Sequence, residues 1–212
     1  MKHEHGNLQS TNGQRDYFDA QAKHWDSFCK PDMIRPGLAA YVASLGLQGN
    51  EAILDLGCGT GILSSVVLDH LNEDGCLHAV DFSPAMLAVA QAKLADNRLR
   101  WHLADAAQIP LPDAAVSVVL CFSSWAHFTQ QHTVINEMHR VLKPGGSLHI
   151  FHLQSKERIN EIHTNANAAI SHDLLPPASV LAEAVAARGF HPELVVDSHE
   201  QYLIRAKKRI QG

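Results

Sequence analysis

The chain has 212 residues, 46% hydrophobic and 18% charged, which suits one globular domain with a sizeable core and excludes a disordered chain. Its formal net charge of -5 gives no general attraction to nucleic acid or to an anionic membrane surface. Its four cysteines, Cys29, Cys58, Cys76 and Cys121, form no CxxC pair, which argues against a disulfide framework or zinc-thiolate site and for a reducing, cytoplasmic setting.

The segment Met1 to Gly13 is polar and lacks the apolar stretch of a secretory signal; its first dozen residues are expected to be disordered or to edge a lid. From Tyr17 to Phe28, apolar residues recur at roughly helical spacing, and a second helix is expected from about Met33 to Leu45. Strands and helices then alternate. Ala52–Leu56 reads as a buried strand, Ile62–Leu71 as a helix and Leu77–Asp81 as a second strand. Ser83-Pro84 is a helix start, with Ser83 as N-cap and Pro84 at the first helical position of a helix reaching Leu94. Leu99–Leu103 and Val116–Phe122 are the third and fourth strands. Gln131–Leu142 is helical, Lys143–Gly146 a turn and Ser147–Leu153 a fifth strand. Helices follow at Lys156–Ala169 and Ser179–Arg188, then strands at Glu193–Asp197 and Gln201–Ala206. The basic run Arg205–Arg209 reads as a solvated strand end. No stretch is apolar enough to span a membrane.

Alternation of this kind implies an α/β fold, with a parallel, doubly wound sheet covered by helices on both faces. Only three residues, Ser198 to Glu200, separate the last two strands, so these are expected to form an antiparallel hairpin. Ligands in such sheets sit beyond the carboxyl ends of the strands, near the point where the strand order reverses.

The strongest local signal lies there, in Ile53-Leu54-Asp55-Leu56-Gly57-Cys58-Gly59-Thr60-Gly61. Alternating glycines let the backbone turn sharply and approach a ligand closely. A dinucleotide fingerprint places its third glycine one residue later, and Asp55 opposes a pyrophosphate but suits an ammonium group. Asp81, twenty residues after Gly61, can accept both hydroxyls of a ribose. Asp105 ends the third strand and can accept from an exocyclic amine. Three carboxylates at three neighbouring strand ends make a site for a nucleoside joined to an amino acid.

In these residues the chain resembles the class I S-adenosylmethionine-dependent methyltransferases, of the UbiE or methyltransferase-11 type. The matching segments are Leu54–Gly61, Val80–Met86, Asp105–Pro112 and Arg140–Gly146, and the likeness runs from about Tyr17 to Leu153. It implies a Rossmann-like, seven-stranded, mostly parallel sheet with the last strand antiparallel, in agreement with the hairpin above. S-adenosylmethionine would then be the cofactor. Its methionine part would face Gly57, Cys58, Gly59, Gly61 and the Ser123 backbone, and Asp55 would hold its amino end directly or through water. Asp81 would bind the ribose, Phe82 and Met86 would flank the adenine, and Asp105 and Ala106 would meet its edge. Tyr17 and Trp25 would belong to a lid helix over the cofactor, or else to an ordinary amphipathic core helix.

Methyl transfer needs an aligned acceptor, exclusion of water and a place for any proton released. Candidate bases are His127, after the fourth strand, and His152, at the end of the fifth. Trp125, Arg158, Asn160, His163 and His172 are candidates for the acceptor pocket. Asn160 and His163 share a helix face, and Arg158 either grips an anionic acceptor or pairs with Glu157 or Glu161. His152, His163, His172 and Asp173 have no tight metal spacing; a polar pocket, a metal site and plain surface histidines all remain open.

The expected organisation is one domain over 1–212, with lid helices at 1–48, a cofactor core at 49–153, capping helices at 154–190 and hairpin strands at 191–212. The expected function is methylation of a small molecule, without a nucleic-acid or membrane partner and with no oligomeric state readable. A nucleotide-dependent dehydrogenase and a non-catalytic cofactor-binding module are the alternatives.

Overall fold

A computed structural model describes residues 4–210. The chain opens with helix α1 (Glu4–Gln21), a 3-10 turn (Ala22–His24), α2 (Trp25–Cys29) and α3 (Pro31–Ala43). The core follows as β1 (Ala52–Leu56), α4 (Ile62–Leu68), β2 (Cys76–Asp81), α5 (Pro84–Lys93), β3 (Leu99–Leu103), β4 (Val116–Phe122), α6 (Gln131–Val141) and β5 (Leu142–His152). It ends with α7 (Lys156–Thr164), α8 (Ala178–Ala186), β6 (Phe190–Asp197) and β7 (Tyr202–Lys208).

The seven strands form one sheet in the order β3-β2-β1-β4-β5-β7-β6. Neighbours from β3 through β5 pair in parallel, whereas β7 pairs antiparallel with both β5 and β6. The expected hairpin therefore exists, and β7 alone runs against the rest. Successive residues of the central strands feed opposite faces. Leu54, Val119 and Ile150 pack with Val134 and Met138 of α6 and Leu181 of α8. Ile53, Leu120 and Phe151 pack on the other face with Leu38 of α3 and Val66 of α4. The strand order reverses between β1 and β4, which opens a crevice beyond their carboxyl ends.

Several boundaries differ from the sequence reading; α4 ends at Leu68 instead of Leu71 and β6 begins at Phe190 instead of Glu193. Of the first dozen residues, Met1–His3 lie outside the described residues, while the backbone from Glu4 onward belongs to α1 instead of being disordered. The helix expected over Tyr17–Phe28 is interrupted by the 3-10 turn at Ala22–His24. The turn at Lys143–Gly146 is a bulge within β5: Val116 pairs with Leu142 and Val118 with Ser147, so four residues stand opposite the single Ser117 and the register shifts by three. The helix expected to reach Ala169 stops at Thr164, where Asn167 takes over the backbone, its side chain accepting from the Ala169 N–H at 2.9 Å. No described helix is long and apolar enough to cross a membrane.

Candidate active site

Beyond the ends of β1, β2 and β4 lies a cleft of about 1200 Å³, open mouth included. Its floor is the glycine turn, whose Gly57 and Cys58 N–H groups donate to the Val80 carbonyl at 2.8 and 3.0 Å. Gly57 has φ +75°, and a Cβ there would come within 2.5 Å of the Ser124 Cβ. A side chain at that position would be strained in its backbone and would collide with the end of β4. Gly59, also at positive φ, has nothing within 4 Å of a Cβ position, so its backbone is bared.

Asp55 is buried on β1 and accepts from the Ser64 hydroxyl of α4 at 2.6 Å. Burial pushes its carboxyl up to about 7, with nearby Asp81 adding to the rise. Asp81 accepts the Gly59 N–H at 2.8 Å and the Ser83 N–H at 2.9 Å, so it braces the glycine turn as well as facing the cleft. Burial raises its carboxyl too, against the pull of those N–H groups. Asp105 is exposed and accepts the Ala107 N–H at 2.8 Å in an Asx turn at the rim. Ser123 has φ +53°, an uncommon conformation for a non-glycine residue, at the point where β4 enters the cleft.

Among the expected cofactor residues, Asp55, Gly57, Cys58, Gly59, Asp81, Phe82, Met86, Asp105, Ala106, Ser123 and Trp25 all line this cleft. Gly61 does not; it caps α4 with a left-handed φ of +85° against Leu94 and Ala90. Tyr17 is likewise off the lining and packs edge-on against Phe18, which takes the cleft position.

The acceptor candidates separate. His127 lines the cleft, with its Nδ1 2.8 Å from the Asp173 carboxylate. His152 does not: it is only 1% exposed, and neither ring nitrogen has a partner among the described residues. Burial, with His127 and His163 nearby, lowers its pKa to about 3. Trp125 is fully buried in the core away from the lining. Arg158 pairs with Glu161 at 2.7 Å on the surface, the second of its two expected alternatives. Asn160 is a clamp for the following loop, bonded to the Leu175 N–H and carbonyl at 2.8 and 3.0 Å. His163 is buried and donates from Nδ1 to the Asp173 carbonyl oxygen. His172 and Asp173 line an adjoining depression that shares Phe128 and Thr129 with the cleft. Among the described residues, no group of three or more His, Cys, Asp or Glu side chains is arranged to hold a metal ion.

Sequence reasoning missed Gln14, Asp26, Ile34 and Phe122 in the lining. Asp26 accepts from the Thr60 hydroxyl at 2.6 Å and from Lys93 at 2.7 Å, tying α2 to the glycine turn and to α5. No local pattern sets these residues apart from surface or core positions. They meet the cleft only because α1 to α3 fold across it.

The described lining holds four carboxylates, of Asp26, Asp55, Asp81 and Asp105, and no lysine or arginine. Such a cleft favours a cation and rejects a pyrophosphate.

Residues 53–146 match the family model described as a methyltransferase domain. The malonyl-[acyl-carrier protein] O-methyltransferase of Marinomonas sp. (strain MWYL1) is 31% identical over 146 residues, which are 68% of this chain and 53% of that protein. The ubiquinone/menaquinone biosynthesis C-methyltransferase UbiE of Stutzerimonas stutzeri (strain A1501) is 33% identical over 135 residues, 62% of this chain and 52% of that one. The chain thus spans about half the length of these curated relatives. A solved SAM-dependent methyltransferase from Aquifex aeolicus superposes with a TM-score of 0.73 at 19% identity, covering 90% of this chain and 98% of that one, a likeness of fold.

Proposed function

We propose that the chain is a class I S-adenosylmethionine-dependent methyltransferase that transfers a methyl group from that cofactor to a small-molecule acceptor; the methyltransferase-domain match over residues 53–146 and the methyltransferase relatives support the reading. The observation that carries the reading is the cleft whose described lining holds four carboxylates and no lysine or arginine, set on a glycine turn at the strand-order reversal. A cationic sulfonium nucleoside with an ammonium group fits that donor set, whereas a nicotinamide dinucleotide brings two phosphates to a wall of acids. The dehydrogenase alternative is disfavoured on that ground.

In this reading Asp55 meets the amino end, Asp81 the ribose hydroxyls, and Asp105 with Ala106 the adenine edge, between Phe82 and Met86. When bound, S-adenosylmethionine would supply a methyl carbon activated by its positively charged sulfonium, whose sulfur would leave as a neutral thioether as the carbon bonds to an electron pair of the acceptor. The chain's own residues hold the acceptor close and keep water out. Where the acceptor carries a proton, His127 takes it, being the histidine that lines the cleft. His152, buried and off the lining, is not in place for that role.

The remaining wall, contributed by α2, α3 and the end of β4, is apolar: Trp25, Cys29, Pro31, Ile34 and Phe122. It suits an acceptor with a hydrocarbon or ring portion beside the methylated atom. The acidic net charge supports an acceptor other than nucleic acid, and four unpaired cysteines support a cytoplasmic setting. The one-domain organisation over 1–212 belongs to the same proposal, with the segment after β5 capping the site.

Calorimetry with S-adenosylhomocysteine and with NADH tests the cofactor, followed by a screen of acceptor classes with methyl-labelled cofactor. Expected are binding of the nucleoside alone, weakening of at least tenfold in Asp81→Ala, and transfer of label to one acceptor class. No heat with S-adenosylhomocysteine would overturn the reading. Binding without transfer to any class would favour a non-catalytic module.

A further inference from the structure

His127 is held on three sides. The Phe18 ring of α1 meets it edge-on at 4.9 Å between centroids, and the His163 ring of α7 lies 4.7 Å away. On the third side Nδ1 sits 2.8 Å from Oδ2 of Asp173. Asp173 is itself fixed. Gln14, a buried residue of α1, reaches both carboxylate oxygens with Nε2 at 2.9 Å. The Asp173 N–H donates to the Ile170 carbonyl at 3.0 Å, and its own carbonyl receives Nδ1–H of His163. Three segments far apart in the chain, residue 14, residue 127 and the stretch 163–173, therefore converge on one carboxylate whose side chain is 13% exposed.

An ionised carboxylate only accepts hydrogen bonds. A neutral imidazole beside it must carry its hydrogen on Nδ1, which leaves the Nε2 lone pair free. Among the described residues no protein group hydrogen-bonds to Nε2 of His127, and the residue lines the cleft. That is the tautomer a proton acceptor needs. We propose that Asp173 is a positioning residue: it fixes the tautomer and the ring plane of His127 so that Nε2 faces the acceptor, with Gln14 of the lid helix orienting the carboxylate. The proposal rests on the methyltransferase reading above and adds a residue to it. A tether that merely pinned the loop to the lid would serve equally well with any hydrogen-bonding side chain and would leave the imidazole tautomer indifferent.

The full chain, labelled with ¹⁵N-histidine and saturated with S-adenosylhomocysteine, gives long-range ¹H–¹⁵N spectra that read each ring's tautomer. The His127 signal is assigned by its loss in His127→Gln. We expect the hydrogen on Nδ1 in the wild type. In Asp173→Asn, nearly identical in size, the ratio of Nδ1–H to Nε2–H should fall at least tenfold, while S-adenosylhomocysteine affinity stays within about threefold. An unchanged ratio in Asp173→Asn overturns the proposal. So does a wild-type ring with its hydrogen on Nε2, a result that needs no variant to fold. Failure of the wild type to bind S-adenosylhomocysteine would instead strike the methyltransferase reading, so the two failures are told apart.

Discussion

At the scale of single residues, Asp55 is where burial and chemistry meet. Its carboxyl, pushed up to about 7, is largely protonated in an empty cleft below neutral pH, and an ammonium beside it would draw off the proton. Binding of S-adenosylhomocysteine should therefore strengthen by about tenfold between pH 6 and pH 8, as Asp55 no longer has to lose a proton first. Calorimetry across that range checks it, and Asp55→Asn should flatten the dependence. The sign for stability is the opposite. The neutral carboxyl favours the empty fold fully below the ordinary carboxylate range, and that contribution is lost as pH climbs through about 7. Asp55 stood out in the sequence because it precedes a glycine turn, but its titration range depends on the Ser64 hydroxyl and on the depth of β1.

Among the elements, α1 and α2 supply the side of the cleft that the sheet does not. Helices α1 and α2 lie across the glycine turn and α5, held by polar ties as well as by the Phe18–Met86–Ile170 cluster. Asp19 accepts from the Ser83 hydroxyl and from the Ala85 N–H, at the N-terminus of α5. Asp26 joins Thr60 to Lys93. Because these two partners sit on the floor and the neighbouring helix, Asp26→Ala should loosen the lid with little effect on the core. The expected outcome is S-adenosylhomocysteine release about three- to tenfold faster by stopped flow, with the unfolding midpoint nearly unchanged, since partly exposed ion pairs contribute little to stability. An unchanged release rate would mean that the apolar cluster alone holds the lid.

For the whole molecule, the histidines make the fold sensitive to acid. His149 and His152 are both buried on β5, and burial lowers each to about 3. In the unfolded chain they titrate near 6.5. The stability they contribute is thus present above about 6.5 and is lost as pH falls toward 3, with a slope of up to about 1.4 kcal/mol per pH unit for each. Urea denaturation should show about 2–3 kcal/mol less stability at pH 5.5 than at pH 7.5 from this pair. His152→Leu, which removes two ring nitrogens without partners among the described residues, should remove about half of that difference. If the variant and the wild type lose stability in parallel, His152 is not neutral in the fold.

The order of elements, the glycine turn and the acids at or just past the ends of β1, β2 and β3 were legible from local pattern. Each of these rests on contacts within a few residues: the alternation of a strand, the Ser83 cap whose side chain accepts from Met86, the positive φ values of Gly57 and Gly59. Tertiary structure alone decided which histidine faces the cleft. His127 and His152 look alike in sequence, one shortly after a central strand and the other at the end of one. The side chain of His152 falls among neighbours that leave it no hydrogen bond, whereas His127 finds Asp173 46 residues away. Asn160 and Arg158, plausible pocket residues on an amphipathic helix, are committed to a loop clamp and a surface pair. Gln14 reaches Asp173 across 159 positions of chain, a separation over which no local pattern carries information. Periodicity and turn chemistry are short-range properties of the backbone; the partner of a side chain is fixed only when the sheet and its lid have packed.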